Sequence, residues 1–244
     1  MTGIKALIFD KDGTLFPYNL WREPIYRLLC ENLPLSKLNK RRKEECLNSF
    51  MALLSFSEYG SIDTKSFVFD RKKRLIAIVK LIKITIKYNL PPFKTMSGFL
   101  EIKNRYKYFD GSSYNWKTTI DTLSFFKSEG ILLALFSNDK MASVEKIEEY
   151  IGSNFFSYII TDESKIKKPN KKTFLEAEVE LKIPRCSMVF ISDTPEDLIM
   201  ARKAKVRAIA IEGTFSKKEL EPYADIIISS LEELILTHKE TRNT

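Results

Sequence analysis

Asp10 and Asp12 stand one residue apart at the end of an apolar run, Lys5-Ala6-Leu7-Ile8-Phe9, and Gly13-Thr14 follow directly. A short apolar run closed by a turn signal reads as a buried, parallel strand, and open α/β sheets bind ligands beyond the carboxyl ends of such strands. Two further apolar runs close in the same way. Ile131 to Phe136 ends on Ser137-Asn138-Asp139, and Met188 to Ile191 ends on Ser192-Asp193-Thr194, with Glu196 and Asp197 just beyond. A fourth cluster, Lys167-Lys168-Pro169, precedes a helical stretch. In a parallel sheet all four groups lie on one edge. Carboxylates crowded around one cleft repel each other unless a proton or a cation is present. Acidic oxygens without thiolates or imidazoles are hard ligands, which suits Mg2+.

Each cluster also has a purely structural reading. Asp12-Gly13 is a favoured turn dipeptide. Thr194-x-x-Asp197, with Pro195 at the first helical position, is a helix-capping pattern. Ser137 or Asn138 could cap a helix, and Lys168 is one of 40 basic residues. These readings must all hold independently, each at the corresponding end of its element, and their joint occurrence favours chemistry.

Other catalytic sets are scarce. His238 is the one histidine, near the C-terminus, so a serine or cysteine triad or an imidazole-rich zinc site is hard to build. Cys30, Cys46 and Cys186 are scattered in no metal-ligand spacing, which predicts structural thiols in a reduced compartment. The sequence opens on a strand pattern, with no basic-then-apolar leader, and no apolar run approaches a membrane span. A cytoplasmic location without membrane association is expected.

The elements that must position these residues alternate in kind. After Thr14, helical spacing is predicted over Pro17–Asn32, then Lys37–Phe56 with Leu47, Phe50, Met51 and Leu54 on one face. A longer helix, or two, over Lys65–Tyr88 carries an apolar stripe of Leu75, Ile76, Val79, Ile82 and Ile86 and ends at Pro91-Pro92, and a further one is predicted over Ile102–Phe109. From Trp116 the pattern becomes helix–strand–helix. Helices are predicted over Thr118–Ser128, Lys140–Ile151, Lys171–Leu181, Pro195–Lys205 and Leu231–Thr237. Strands are predicted over Ile131–Phe136, Tyr158–Ile160, Met188–Ile191, Ala208–Ile211 and Asp225–Ile228. That alternation implies βαβ units and a parallel sheet. The fold class is α/β: a Rossmann-like, three-layer parallel-sheet core, residues 1–15 and 115–244, with an inserted all-helical cap, residues 16–114.

The net charge of +8 is concentrated in the insertion. Leu15 to Tyr114 carries 19 basic and 9 acidic residues, against 21 and 23 in the remainder. A basic surface suits nucleic acid, anionic lipid or an anionic small molecule, and a charge run is commonly a solvated face.

The order and spacing of the four clusters resemble the haloacid dehalogenase superfamily, and the insertion after the first cluster resembles that family's C1-type helical cap. The resemblance implies that Asp10 is a nucleophile and Asp12 an acid–base group. It makes Ser137 the second motif, Lys168 the third, and Asp193 with Asp197 the fourth. Asp10, Asp12 (through its backbone carbonyl) and Asp193 would hold Mg2+, with Asp197 supporting its waters. Thr14, Ser137, Asn138 and Lys168 would contact a phosphoryl group. Family members that act as dehalogenases or phosphonatases lack an aspartate at the position of Asp12, so a phosphatase is implied, of phosphoglycolate-phosphatase type, acting on a small anionic phosphorylated metabolite. A sugar-phosphate mutase is the alternative. A nucleic-acid-binding protein using the basic cap ranks below both, and no nucleic acid partner is expected. Arg22, Arg27, Arg41 and Arg42 are possible substrate contacts from the cap, and a monomer or homodimer is expected. Lys11 between the aspartates and Ser192 before Asp193 depart from the family pattern, where an apolar residue and a glycine are commoner.

Overall fold

Six apolar stretches form one all-parallel sheet in a computed structural model that describes residues 3–56, 74–105, 111–112 and 114–240. They are β1 (Ala6–Asp10), β2 (Leu132–Phe136), β3 (Tyr158–Ile160), β4 (Met188–Ser192), β5 (Arg207–Ile211) and β6 (Ile226–Ile228). The order is β3-β2-β1-β4-β5-β6, and every neighbouring pair is parallel. β1 and β4 are buried along their whole length. Covered on both faces, such strands need continuous apolar runs rather than alternation. This strand order places the reversal of chain direction across the sheet between β1 and β4, where the crevice at the carboxyl ends opens. Asp10 and Asp193 occupy those two ends.

Contact density divides the chain into two compact units, Met1–Tyr18 with Gly111–Thr244, and Asn19–Asp110. The inserted unit contains α1 (Arg22–Asn32), α2 (Lys40–Leu53), α3 (Arg74–Lys87) and α4 (Pro92–Arg105). Within it α1 packs on α2 and α4, and α3 packs on α2. Cys46, Leu47, Phe50 and Met51 fill its interior. Gly98 lets α4 approach the end of α1, where a Cβ would stand 2.2 Å from the Asn32 carbonyl oxygen.

Four details of this unit correct the sequence reading. The stretch from Pro17 starts with a 3-10 turn, Tyr18–Trp21, before α1. The second helix begins at Lys40 because the Asn39 side chain accepts the Arg42 backbone N–H at 2.9 Å. α3 stops at Lys87, just before Pro91-Pro92 as expected, but the fourth helix spans Pro92–Arg105 and starts ten residues before the expected Ile102, because proline at the first helical position forfeits no hydrogen bond. On α3 the buried positions are Ala77, Leu81 and Thr85, so Leu75, Ile76, Val79, Ile82 and Ile86 form its outer face. Residues 65–73 and 106–109 of the expected helices lie outside the described residues.

The core helices are α5 (Lys117–Ser128), α6 (Met141–Ile151), α7 (Thr173–Leu181), α8 (Pro195–Lys203), the short α9 (Lys217–Leu220) and α10 (Glu232–Glu240). α5 packs on β2, α7 on β3, and α8 on β4 and β5, while α10 lies on α5. α5 stops at Gly130, whose positive φ of 74° turns the chain into β2. Phe136, Phe174 and Phe190 interlock beneath the carboxyl ends of β2 and β4, with ring centroids 5.3–6.1 Å apart. No helix among the described residues is long and apolar enough to cross a membrane.

Candidate active site

Where β1 ends, the chain turns sharply. The Gly13 N–H donates to the Phe16 carbonyl at 2.8 Å and the Leu15 N–H to the Lys11 carbonyl at 3.0 Å. The buried Thr119 hydroxyl donates to the Leu15 carbonyl at 2.7 Å and ties the turn to α5. Gly13 has φ +81°, and a Cβ there would stand 1.8 Å from Asp193 Oδ2. The backbone of the first cluster is thus seated directly on the carboxylate of the fourth.

Asp10 is buried, and Lys168 Nζ bonds its Oδ1 and also pairs with Asp197 Oδ2. The same ammonium reaches toward the Phe136 carbonyl at 3.4 Å. Burial pushes the Asp10 carboxyl up to about 7; Lys168 opposes this, and the Asp197 charge adds to it. Burial also works against the Lys168 ammonium, but Asp10 and Asp197 outweigh it and hold the group above its ordinary value. The lysine therefore stays charged, which suits a buried cation facing two carboxylates.

At the start of α8 the capping pattern is half realised. The Asp197 N–H donates to Thr194 Oγ1 at 3.4 Å, while its carboxylate turns to Lys168 and to the Ser192 hydroxyl at 3.1 Å. Cap and site share one residue, and Ser192 contributes a donor where a glycine would have none. Asp193 is 1 % exposed, and its Oδ1 has no hydrogen-bond partner among the described residues. Burial raises its carboxyl well above the ordinary range, as does the neighbouring Asp10, against the Thr214 hydroxyl.

Asp10 and Asp197 thus flank one ammonium, Asp193 lies beside Asp10, and one buried oxygen of Asp193 has no partner among the described residues. That donor set fits a hard divalent cation. Among the described residues no three His, Cys, Asp or Glu side chains converge as a metal cage. Mg2+ requires none, since it keeps waters and is commonly held by one or two carboxylates plus substrate phosphate.

The remaining sequence-read residues fall as follows. Thr14 is buried and its Oγ1 has no partner among the described residues. Ser137 is buried at the end of β2, its backbone N–H donating to the Ile160 carbonyl at 2.8 Å and its Oγ accepting the Asp139 N–H at 3.0 Å. Asn138 is exposed. The Asp12 side chain is 27 % exposed and pairs with Lys11 Nζ at 2.8 Å. In the inserted unit Arg41 pairs with Glu45, Arg42 donates to the Lys87 carbonyl, and Arg27 is exposed.

Sequence reasoning passed over four residues. Lys11 is fully buried and also pairs with Asp139 at 2.8 Å, Ser192 supports Asp197, and Thr214 lies beside Asp193. Lys11 and Ser192 stood out only as departures from a pattern, and Asp139 as the residue after Ser137-Asn138. Thr214 follows the end of β5 without any motif. His238 packs edge-on against Phe125 and Phe126 with Nε2 3.7 Å from Glu129, and burial lifts the Cys46 thiol to about 11.

The model of the haloacid dehalogenase-like hydrolases matches residues 4–205. An (S)-2-haloacid dehalogenase 2 from Pseudomonas sp. (strain CBS-3) is 30% identical over 117 residues, 46% of this chain, and the match spans only 50% of that relative. The crystal structure of a predicted phosphoglycolate phosphatase from Haemophilus somnus 129PT superposes with a TM-score of 0.66 at 17% identity, covering 98% of this chain and 99% of that one. A candidate β-phosphoglucomutase from Thermotoga maritima gives 0.63 at 18% identity, covering 97% and 99%. At these identities the structural likeness is one of fold.

Proposed function

Because the chain belongs to the haloacid dehalogenase-like hydrolase family, we propose that it is a Mg2+-dependent phosphatase of small phosphomonoesters, phosphoglycolate- or sugar-phosphate-like, working through an aspartyl-phosphate. One observation carries this reading. A buried carboxylate at the end of β1 is flanked by a charged lysine and by the carboxylate of Asp193, one oxygen of which has no partner among the described residues, with a second, partly exposed carboxylate two residues on.

Asp10 attacks phosphorus in line, and the bond to the leaving oxygen breaks as Asp12 gives that oxygen a proton. Asp12 then takes a proton from the water that attacks the aspartyl-phosphate, releasing inorganic phosphate and regenerating Asp10. Lys168 offsets charge on nucleophile and phosphoryl oxygens, and Ser137 and Thr14 offer hydroxyls to them. Asp197 holds Lys168 toward Asp10. Asp10, Asp193 and the Asp12 main-chain carbonyl would hold Mg2+. When bound, that ion neutralises charge between the anionic nucleophile and the anionic phosphate. The surplus of lysine and arginine in residues 15–114 suits a doubly anionic substrate.

Hydrolysis of p-nitrophenyl phosphate should require Mg2+, stop with EDTA and be abolished in Asp10→Asn. Full activity in that variant would remove Asp10 from the role. The dehalogenase relative favours a second reading, halide release from an (S)-2-haloacid. Asp12 speaks against it, and halide release without phosphatase activity would establish it instead. A mutase would isomerise a sugar phosphate with a bisphosphate activator and release little free phosphate.

A further inference from the structure

Lys11 is the least expected residue of the first cluster. It is 0 % exposed, yet it carries an ammonium whose Nζ lies 2.8 Å from both Asp12 Oδ1 and Asp139 Oδ2. A charge is retained in such a place only against close opposite charge and hydrogen bonds. Its Nζ also lies 5.3 Å from the centre of the Phe16 ring, which packs edge-on against Trp116. Asp139 is itself held. Its carboxylate accepts the Ser143 hydroxyl at 3.1 Å from α6, and its backbone N–H is fixed on Ser137 Oγ at 3.0 Å. An unbroken chain of contacts thus runs from α6 through Asp139 and Lys11 to the carboxylate of Asp12.

We propose that Lys11 is a positioning residue that holds the Asp12 carboxylate for proton transfer to the leaving oxygen, with Asp139 as its anchor. The role rests on the phosphatase reading above. Three observations separate it from generic core stabilisation. The ammonium reaches Asp12 directly rather than through the backbone. Asp12 is the more exposed of the two aspartates, its side chain 27 % exposed against 11 % for Asp10, so it is the one that a leaving oxygen can reach from solvent. Asp10 has its own cation in Lys168, so the two lysines serve the two carboxylates separately.

The test uses leaving groups. p-Nitrophenolate departs with little protonation, whereas an alkoxide requires the proton, so an acid out of place penalises alkyl esters selectively. Full-length wild type, Lys11→Met and Asp139→Asn are assayed with Mg2+ on p-nitrophenyl phosphate and on 2-phosphoglycolate or glycerol 2-phosphate. In Lys11→Met, kcat/KM for the alkyl ester should fall about 30-fold or more and that for the aryl ester about fivefold or less. Rapid mixing with the aryl ester should show a burst of p-nitrophenol, because the water step also loses its base. Asp139→Asn keeps Lys11 and its contact to Asp12, and should move the same ratio in the same direction by a smaller factor. It stands in for the first variant should that fail to fold. Equal losses on both esters, or an unchanged ratio in a folded variant, overturn the positioning role and leave the phosphatase reading intact. A wild type that hydrolyses neither ester overturns the phosphatase reading itself, and the role of Lys11 with it.

Discussion

Gly13→Ala separates the site from the fold more sharply than removal of a carboxylate. The added methyl would stand 1.8 Å from Asp193 Oδ2, 2.5 Å from its Cγ and 2.8 Å from Thr214 Oγ1. Ordinary contact requires roughly 3.5 Å, so the carboxylate must retreat by about 1.7 Å. The φ of +81° adds strain of about 1–3 kcal/mol for a residue with a Cβ. A carboxylate can rotate away where backbone could not, so the chain should still fold, with a melting temperature lowered by a few degrees. The functional loss should be far larger, because a displacement of about 1 Å at a positioned group can cost about 100-fold in rate. Thermal melting by circular dichroism, with and without Mg2+, and the Mg2+ dependence of p-nitrophenyl phosphate hydrolysis measure the two effects separately. We expect kcat down by about 100-fold or more and a weakened response to Mg2+. A variant with both quantities within about threefold of wild type, a difference of ~0.7 kcal/mol, would refute the seating of Gly13 on a functional Asp193.

Metal binding should depend on pH in a stated direction. The folded value of the Asp10 carboxyl, about 7, lies above its unfolded value, so in metal-free protein this group's contribution favours folding at low pH and is lost as pH rises through about 7. A cation must displace that proton below pH 7, so Mg2+ should raise the melting temperature more at pH 8 than at pH 6, and equal shifts would contradict the burial of Asp10. Ser192→Ala removes the hydroxyl from Asp197 and should cost about 1.5–3 kcal/mol in denaturant unfolding, with rates reduced less than in Lys168→Met. Phe174→Ala opens the packing between Phe136 and Phe190 and should cost about 3–5 kcal/mol. A loss under about 1 kcal/mol would mean that the three rings do not act as one packed unit.

The sheet was legible because each buried parallel strand is a short, unbroken apolar run with a polar stop. Those stops also displayed Asp10, Ser137 and Asp193, since the end of a run marks the edge where a ligand can reach. The helical insertion was less readable. A helix there can be apolar on its outer face, as Leu75, Val79, Ile82 and Ile86 are, and periodicity alone does not say which face is turned inward. Pro91-Pro92 marked the end of α3 correctly but hid the start of α4, because proline both follows helices and begins them. Lys11 and Thr214 escaped for a different reason. Their contacts, with Asp139 and Asp193, join residues from loops about 128 and 21 positions apart, and no local pattern encodes such a meeting.

The central place of β1 also has a consequence for how the chain acquires its fold. Ala6–Asp10 pairs on one side with Leu132–Phe136 and on the other with Met188–Ile191, more than 175 residues downstream. During synthesis at about 5–20 residues per second, its second partner emerges roughly 10–40 s after β1 itself. For that interval the apolar run Ala6–Phe9 keeps at least one unpaired edge beside the nascent chain, a natural substrate for a chaperone and a hazard for aggregation. The strand that ends in Asp10 is thus the first of the six sheet strands to be made and among the last to be enclosed, and substitutions that slow the arrival or docking of β4 should lower the yield of soluble protein before they alter its activity.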